Sequence, residues 1–306
     1  FITIIDNFWY GNFIKKKTNI KIVKADIRNI KRISKFFKNQ NILLHLACVS
    51  NDSSYELNPK LSKTINFDSF EPIVKLAKLN GIDRFIYASS SSVYGVSKKK
   101  NVTEKHPLKP LTDYSKYKVK CEKILMKYKS DNFAVVIFRP ATVCGYSKRQ
   151  RLDLSVNILT NFAYHKNYIK IFGGKQLRPN LHIKDYIRLC EILINIEKNK
   201  INGKIFNVGS QNKTIKEIAI RVQKIINRIF KNKIDLKYFK TNDLRSYHIN
   251  SDKIKKELKF TTKYTIEDAI FDLISAFKKK KLINTFSNKN YFNVEKMKQL
   301  KIPLKI

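Results

Sequence analysis

Ile42-Leu-Leu-His-Leu-Ala47 is the stretch on which the fold turns, because its apolar residues run on without alternating with polar ones. A strand with one wet face alternates, whereas a strand covered on both faces does not. This run therefore predicts a parallel sheet with helices on either side. Upstream, Phe1–Ile5 reads as a short apolar strand ending at Asp6. Ile20–Val23 reads as another, followed by Asp26 and a helix around Ile30–Lys38. Downstream, Leu61, Ile65, Val74, Leu76 and Leu79 recur at helical spacing, predicting a helix over Pro59–Asn80 that Gly81 is placed to end. Arg84–Ala88 is the next strand and runs into Ser89–Ser92. A helix over Asp113–Lys129 and a strand over Ala134–Phe138 follow. Strands alternating with helices give an α/β fold, a doubly wound parallel sheet of Rossmann type built from right-handed crossovers.

After Arg139-Pro140 the rhythm changes. Gly173-Gly174, Pro179 and shorter segments predict a smaller α/β lobe, interleaved with late strands such as Ile205–Val208, and Ile215–Ile229 is a strongly amphipathic helix. The expected division is 1–145 for the first domain, with late strands near 181–209 returning to it, and 146–280 for the second lobe. Residues 281–306 form a lysine-rich, weakly periodic tail, expected to be loosely attached.

Composition narrows the function classes. The net charge of +39 comes from 63 basic residues, of which 52 are lysine and 11 arginine, spread along the chain among many Asn and Ile. A nucleic-acid footprint is a clustered patch with arginine to grip phosphate, so no nucleic-acid partner is expected. The charge would still draw an anionic small molecule over long range. Apolar runs such as Phe133–Phe138 are far shorter than the ~20 residues of a membrane span, so no membrane insertion is expected. Cys48, Cys121, Cys144 and Cys190 lack ligand spacing and sit in apolar segments, which predicts reduced thiols in a cytoplasmic protein and no metal site.

Chemistry concentrates in Leu111-Thr-Asp-Tyr114-Ser-Lys-Tyr-Lys118, a Tyr-x-x-x-Lys spacing at the start of a helix. Residues four apart share a helix face, so the phenol and the ammonium can address one pocket. A free tyrosine has a pKa near ~10, and a neighbouring cation favours phenolate, so Lys118 is expected to lower Tyr114 towards a usable base. Ser89-Ser-Ser-Ser-Val-Tyr94-Gly95 follows a buried strand one unit earlier, where open α/β sheets bind ligands.

Together these residues resemble the extended short-chain dehydrogenase/reductase family, in particular its nucleotide-sugar epimerases and dehydratases. Further segments carry the resemblance in order: Ile4-Ile-Asp6-Asn7, Ala25-Asp26, His45-Leu46-Ala47, Asn66, Arg139-Pro140-Ala-Thr-Val-Cys-Gly145, Arg178-Pro-Asn-Leu-His182-Ile-Lys-Asp185, Phe206-Asn-Val-Gly209 and Arg245-Ser-Tyr247. The resemblance implies NAD as cofactor, a nucleotide sugar as substrate and a homodimer formed through the helices near Pro59–Asn80 and Asp113–Lys129. It implies Ser90 as the catalytic hydroxyl, Tyr114 as the base and Lys118 on the nicotinamide ribose. Asp6 would meet the adenosine ribose and Asp26 the adenine, with Asn7, Ile27, Leu46, Ala47 and Asn66 also on the cofactor. Ser91, Arg139, Asn157, Arg178 and Arg245 would hold the substrate, the last two gripping its diphosphate.

The implied reaction oxidises the sugar to a transient keto form. A dehydratase of this family adds an acidic pair beside the catalytic hydroxyl, and here those positions hold Ser91 and Ser92. Neither supplies a carboxylic acid, so epimerisation is expected, ahead of dehydration, reduction or decarboxylation. A non-catalytic dinucleotide-binding protein is the reading from another class. The family's glycine-rich fingerprint would precede Phe1 by one βα unit, so the first strand and helix of the sheet are expected to be missing from this sequence, leaving apolar strand edges. Surface polysaccharide synthesis is the process that the resemblance suggests.

Overall fold

The computed structural model describes every residue except 98, 100, 232, 243, 244, 305 and 306. The chain opens with β1 (Ile2–Asp6), β2 (Ile20–Lys24) and α1 (Ile30–Ser34). It continues through β3 (Ile42–His45), α2 (Asp52–Glu56), α3 (Pro59–Lys63), α4 (Phe70–Leu79) and β4 (Arg84–Ala88). A 3-10 turn at Ser91–Tyr94 leads to α5 (Asp113–Lys127) and β5 (Ala134–Pro140). Then come β6 (Thr142–Cys144), α6 (Ser155–Lys166), β7 (Tyr168–Phe172), β8 (Leu177–His182), α7 (Ile183–Asn195) and β9 (Lys204–Val208). The last elements are β10 (Gln211–Thr214), α8 (Ile215–Phe230), β11 (Asp235–Phe239), α9 (Asp252–Leu258), α10 (Ile266–Lys278) and α11 (Asn293–Gln299).

The central sheet has the order β3-β4-β5-β9, all parallel. Its strands bury alternate residues against two separate cores, which is what a doubly wound sheet requires. Phe85, Tyr87, Val135 and Ile137 face a core shared with α1, α4 and α5. Ile86, Ala88, Val136 and Phe138 face the opposite core, against Leu189 and Leu193 of α7 and Ile254 and Leu258 of α9. The parallel pair β1-β2 packs on the first core through Ile5, Val23 and Ala25. β1 pairs only with β2 and β3 only with β4, so among the described residues each has one edge without a strand partner.

The second lobe packs α6, α8 and α10 around Val156, Leu159, Val222 and Ile270. It carries β11-β7 and the three-stranded sheet β10-β8-β6. Of the late strands, β9 returns to the main sheet beside β5, whereas β8 pairs with β6 and β10.

Two expectations need correction. The helix predicted over Pro59–Asn80 is broken: a π-helical turn, Thr64–Asp68, separates α3 from α4. That wider turn presents Asn66, whose side-chain amide accepts from Val49 N at 2.7 Å and donates to Val49 O at 2.9 Å. Nor is the C-terminal segment loose. Met297 of α11 is buried with Val49, Leu61 and Ile65, and Ile302 joins Trp9 and Ile27 beside them. Arg28 Nη1 donates to the carbonyls of Pro303 and Leu304, both at 3.0 Å, so the basic residues there surround an apolar anchor.

Candidate active site

A cleft of about 520 Å³ opens at the carboxyl ends of β3, β4 and β5, bounded on its far side by the second lobe. It brings together Leu46, Ser90, Ser91, Tyr114, Lys118, Arg178 and Arg245 from the expected set. Crossover connections leave loops at this end of a parallel sheet, which is why residues far apart in sequence converge there.

Tyr114 and Lys118 sit in the first turns of α5. That helix starts with a capping box in which Thr112 Oγ1 accepts from Ser115 N at 3.3 Å and Ser115 Oγ accepts from Thr112 N at 3.2 Å. Both side chains are buried, and the Lys118 ammonium lies 5.8 Å from the Tyr114 ring centre. Lys118 Nζ donates to the Ala88 carbonyl at 2.8 Å, tying the helix to the end of β4. Ser90 Oγ lies 2.9 Å from Ser92 Oγ and accepts from Ser92 N at 3.1 Å, so its hydroxyl is held by the serine turn.

The expected lowering of Tyr114 is corrected. Burial pushes the phenol well above its ordinary value, and the charges of Cys48 and Asp52 add to this, while Ser90 and Arg151 oppose it. Lys118 Nζ is bonded to the Ala88 carbonyl, and the phenol is buried, where the charged form is disfavoured.

Three other expected contacts are also corrected. Arg139 is 2% exposed and does not line the cleft, because Glu122 holds its guanidinium through Nη2–Oε2 at 2.6 Å and Nε–Oε1 at 3.0 Å. Burial disfavours the Arg139 cation, but Glu122 and Tyr94 more than offset this and hold it charged. Asn157 is buried and binds the backbone of Gly145 and Arg151, so it fastens a loop instead of facing substrate. Asn66 likewise has both amide atoms engaged by Val49 and acts on the loop after β3 from behind.

The adenosine-side candidates lie outside the cleft proper. Asp6 is exposed at the end of β1, its Oδ1 accepting from Phe8 N at 2.7 Å, and Asn7 Oδ1 accepts from Trp9 N at 3.2 Å. Asp26 is gripped by Arg28 through Nε at 3.0 Å and Nη2 at 2.9 Å, with Ile27 packed beside Val49. Ala47 is half-buried beyond the end of β3. The donor set fits a dinucleotide: an exposed carboxylate ends β1, and a tyrosine–lysine pair ends the cleft.

Sequence reasoning missed Asp52 and Arg151, both in the cleft wall. Asp52 accepts from Thr112 Oγ1 and pairs with Arg245, joining the start of α5 to the second lobe. Arg151 pairs with Asp153 at 2.9 Å and reaches Ser50. Asp52 does follow a strand end in the sequence, a signal that could have flagged it. Arg151 sits in a stretch with no local pattern.

Residues 2–209 match the model of the NAD dependent epimerase/dehydratase family. The chain is 25% identical over 296 residues to the putative UDP-arabinose 4-epimerase 2 of Arabidopsis thaliana, covering 86% of this chain and 70% of that protein. Among solved structures, the UDP-glucose 4-epimerase of Thermotoga maritima superposes with a TM-score of 0.80 at 19% identity, covering 91% of both chains. The dTDP-glucose 4,6-dehydratase DesIV of Streptomyces venezuelae also gives 0.80, at 17% identity over 91% of this chain and 88% of its own. At such identity the two structures speak for the fold alone.

Proposed function

The chain belongs to the NAD dependent epimerase/dehydratase family, and on that premise we propose that it epimerises a nucleotide sugar through a transient keto form. The observation that carries this reading is the convergence of Ser90, Tyr114 and Lys118 on one cleft wall, with serines at 91 and 92 beside them. When bound, NAD supplies the reversible two-electron acceptor and a cationic ring whose field favours phenolate.

Tyr114 Oη, as phenolate, takes the proton of the sugar hydroxyl, and Ser90 Oγ hydrogen-bonds to the same oxygen and keeps it in line. Lys118 fixes the tyrosine's neighbourhood and offers its remaining protons to a ribose hydroxyl. Arg178 and Arg245, which also line the cleft, suit the substrate's diphosphate, since guanidinium pairs with phosphate oxygens at two points. The keto sugar then turns within the cleft, and Tyr114 returns the proton once the other face is presented. Asp6, Asn7, Asp26 and Ile27 bound the adenosine side, with Leu46 and Ala47 between. Dehydration needs an acid beside Ser90. The positions beside Ser90 hold Ser91 and Ser92, neither of them a carboxylic acid, which favours epimerisation.

The test incubates the protein with NAD and a panel of UDP- and dTDP-sugars and separates the epimers by chromatography. Tyr114→Phe should keep NAD binding and lose turnover by about 10²–10⁴-fold. A 4-keto-6-deoxy product would replace this reading with dehydration. NAD binding without any turnover would favour a dinucleotide-binding protein.

We read residues 1–145 and the returning β9 as the NAD domain, and 146–280 as the substrate lobe. We further read the protein as a cytoplasmic homodimer in surface polysaccharide synthesis. Leu79 is 84% exposed at the end of α4, and three of the four free thiols are buried. Light scattering on the purified protein checks the dimer, and surface polysaccharide analysis of a deletion strain checks the process.

A further inference from the structure

The buried pair Glu122–Arg139 is used by neither the cleft nor the proposed chemistry. Glu122 stands on the same face of α5 as Tyr114 and Lys118, at successive four-residue steps. Its Oε1 accepts from Ser89 Oγ at 2.5 Å and from Arg139 Nε at 3.0 Å. Arg139 Nη1 donates to Tyr94 Oη at 2.8 Å, and Tyr94 Oη donates to Asn207 Oδ1 at 2.7 Å. The loop that carries Ser90 is thus pinned at both ends: at Ser89 by Glu122, and at Tyr94 by Arg139 and Asn207.

We propose that Glu122 and Arg139 are positioning residues, a two-point clamp that sets the separation of Ser90 from Tyr114 and Lys118. Glu122 and Arg139 are 3% and 2% exposed, so neither touches a ligand in the cleft. Two-point contact fixes the angle as well as the distance, which a single hydrogen bond does not. Burying two charges costs solvation that their attraction roughly returns, so stability alone gives little reason for an ion pair here. The geometric consequence does: Glu122 couples the catalytic helix to the catalytic loop through one carboxylate.

The clamp's effect on turnover rests on the proposed function, and its effect on mobility does not. Hence both are measured, on Glu122→Gln and on the apolar double variant Glu122→Met/Arg139→Met. Amide hydrogen exchange in 88–95 and 113–122 should accelerate by about tenfold in both, with α8 unchanged. The kcat should fall on the order of 10²-fold, with KM within about threefold. Unchanged exchange in both segments would overturn the clamp whatever the activity. Failure of both variants to fold would also overturn it, making the pair a stability element. Accelerated exchange in variants of a wild-type protein that turns over no nucleotide sugar would uphold the clamp and sink the functional reading. Accelerated exchange with wild-type kcat in an active protein would remove its catalytic role.

Discussion

A phenol in the wall of a cleft gives up its proton more reluctantly than one in water, and Tyr114 stands in such a wall. Ultraviolet difference titration, wild type minus Tyr114→Phe, should therefore find no phenolate from this residue up to about pH 10 without cofactor. Added NAD should bring the transition lower, because a cationic ring nearby favours the phenolate. An unshifted transition would detach Tyr114 from the cofactor. His45 makes the complementary case. It ends β3 with its ring edge-on to Phe70 at 5.4 Å, and burial, aided by the Lys118 charge, pulls its pKa down to about 3. The unfolded histidine accepts a proton below about 6.5, whereas the folded one refuses it until about 3. Its contribution is therefore present above pH 6.5 and lost as pH falls towards 3. Melting temperature should drop between about pH 7 and 4, and His45→Leu should flatten that slope. His165, His182 and His248, also lowered by burial, would keep part of it.

The element that matters most to the site is α5, and its first turn depends on Thr112. Thr112→Ala should cost about 1 kcal/mol through the lost cap and also strip Asp52 of a partner, whereas Thr112→Ser should restore both. Urea denaturation of the two variants reads the difference. Gly95, at φ 67°, closes the serine turn where an added Cβ would meet the Lys109 carbonyl, so Gly95→Ala should lower the urea midpoint further. Elements of this kind were legible in the sequence: β3 from its unbroken apolar run, with β4, α5 and β5 following in the alternation of strand and helix. The break between α3 and α4 was not, because the amide of Asn66 makes it useful only through Val49, seventeen residues away. The same limit hid the roles of Arg139 and Asp52. Arg139 reads as a binding cation until Glu122 is seen beside it, and Asp52 meets Arg245 across 193 positions of chain. Local pattern announces strands and caps. It is silent on which buried charges will find one another.

For the whole molecule, the docked C-terminal segment and the net charge lead to separate measurements. Deleting residues from Asn293 onward removes Met297 from its core and the two carbonyl partners of Arg28, so the melting temperature should fall by several degrees. A deletion variant with the wild-type melting temperature would show that this anchor contributes nothing. With a charge of +39, added salt should raise stability by screening self-repulsion, most steeply below ~0.1 M. The bond from Tyr94 to Asn207 spans 113 positions, and β9, which carries Asn207, completes the parallel sheet. During synthesis at roughly 5–20 residues per second, that span takes on the order of ten seconds to emerge. Until it ends, Tyr94 can have Arg139 but not Asn207 as a partner. The serine loop, early in the sequence given, thus takes its last anchor from a strand that lies more than a hundred residues further on.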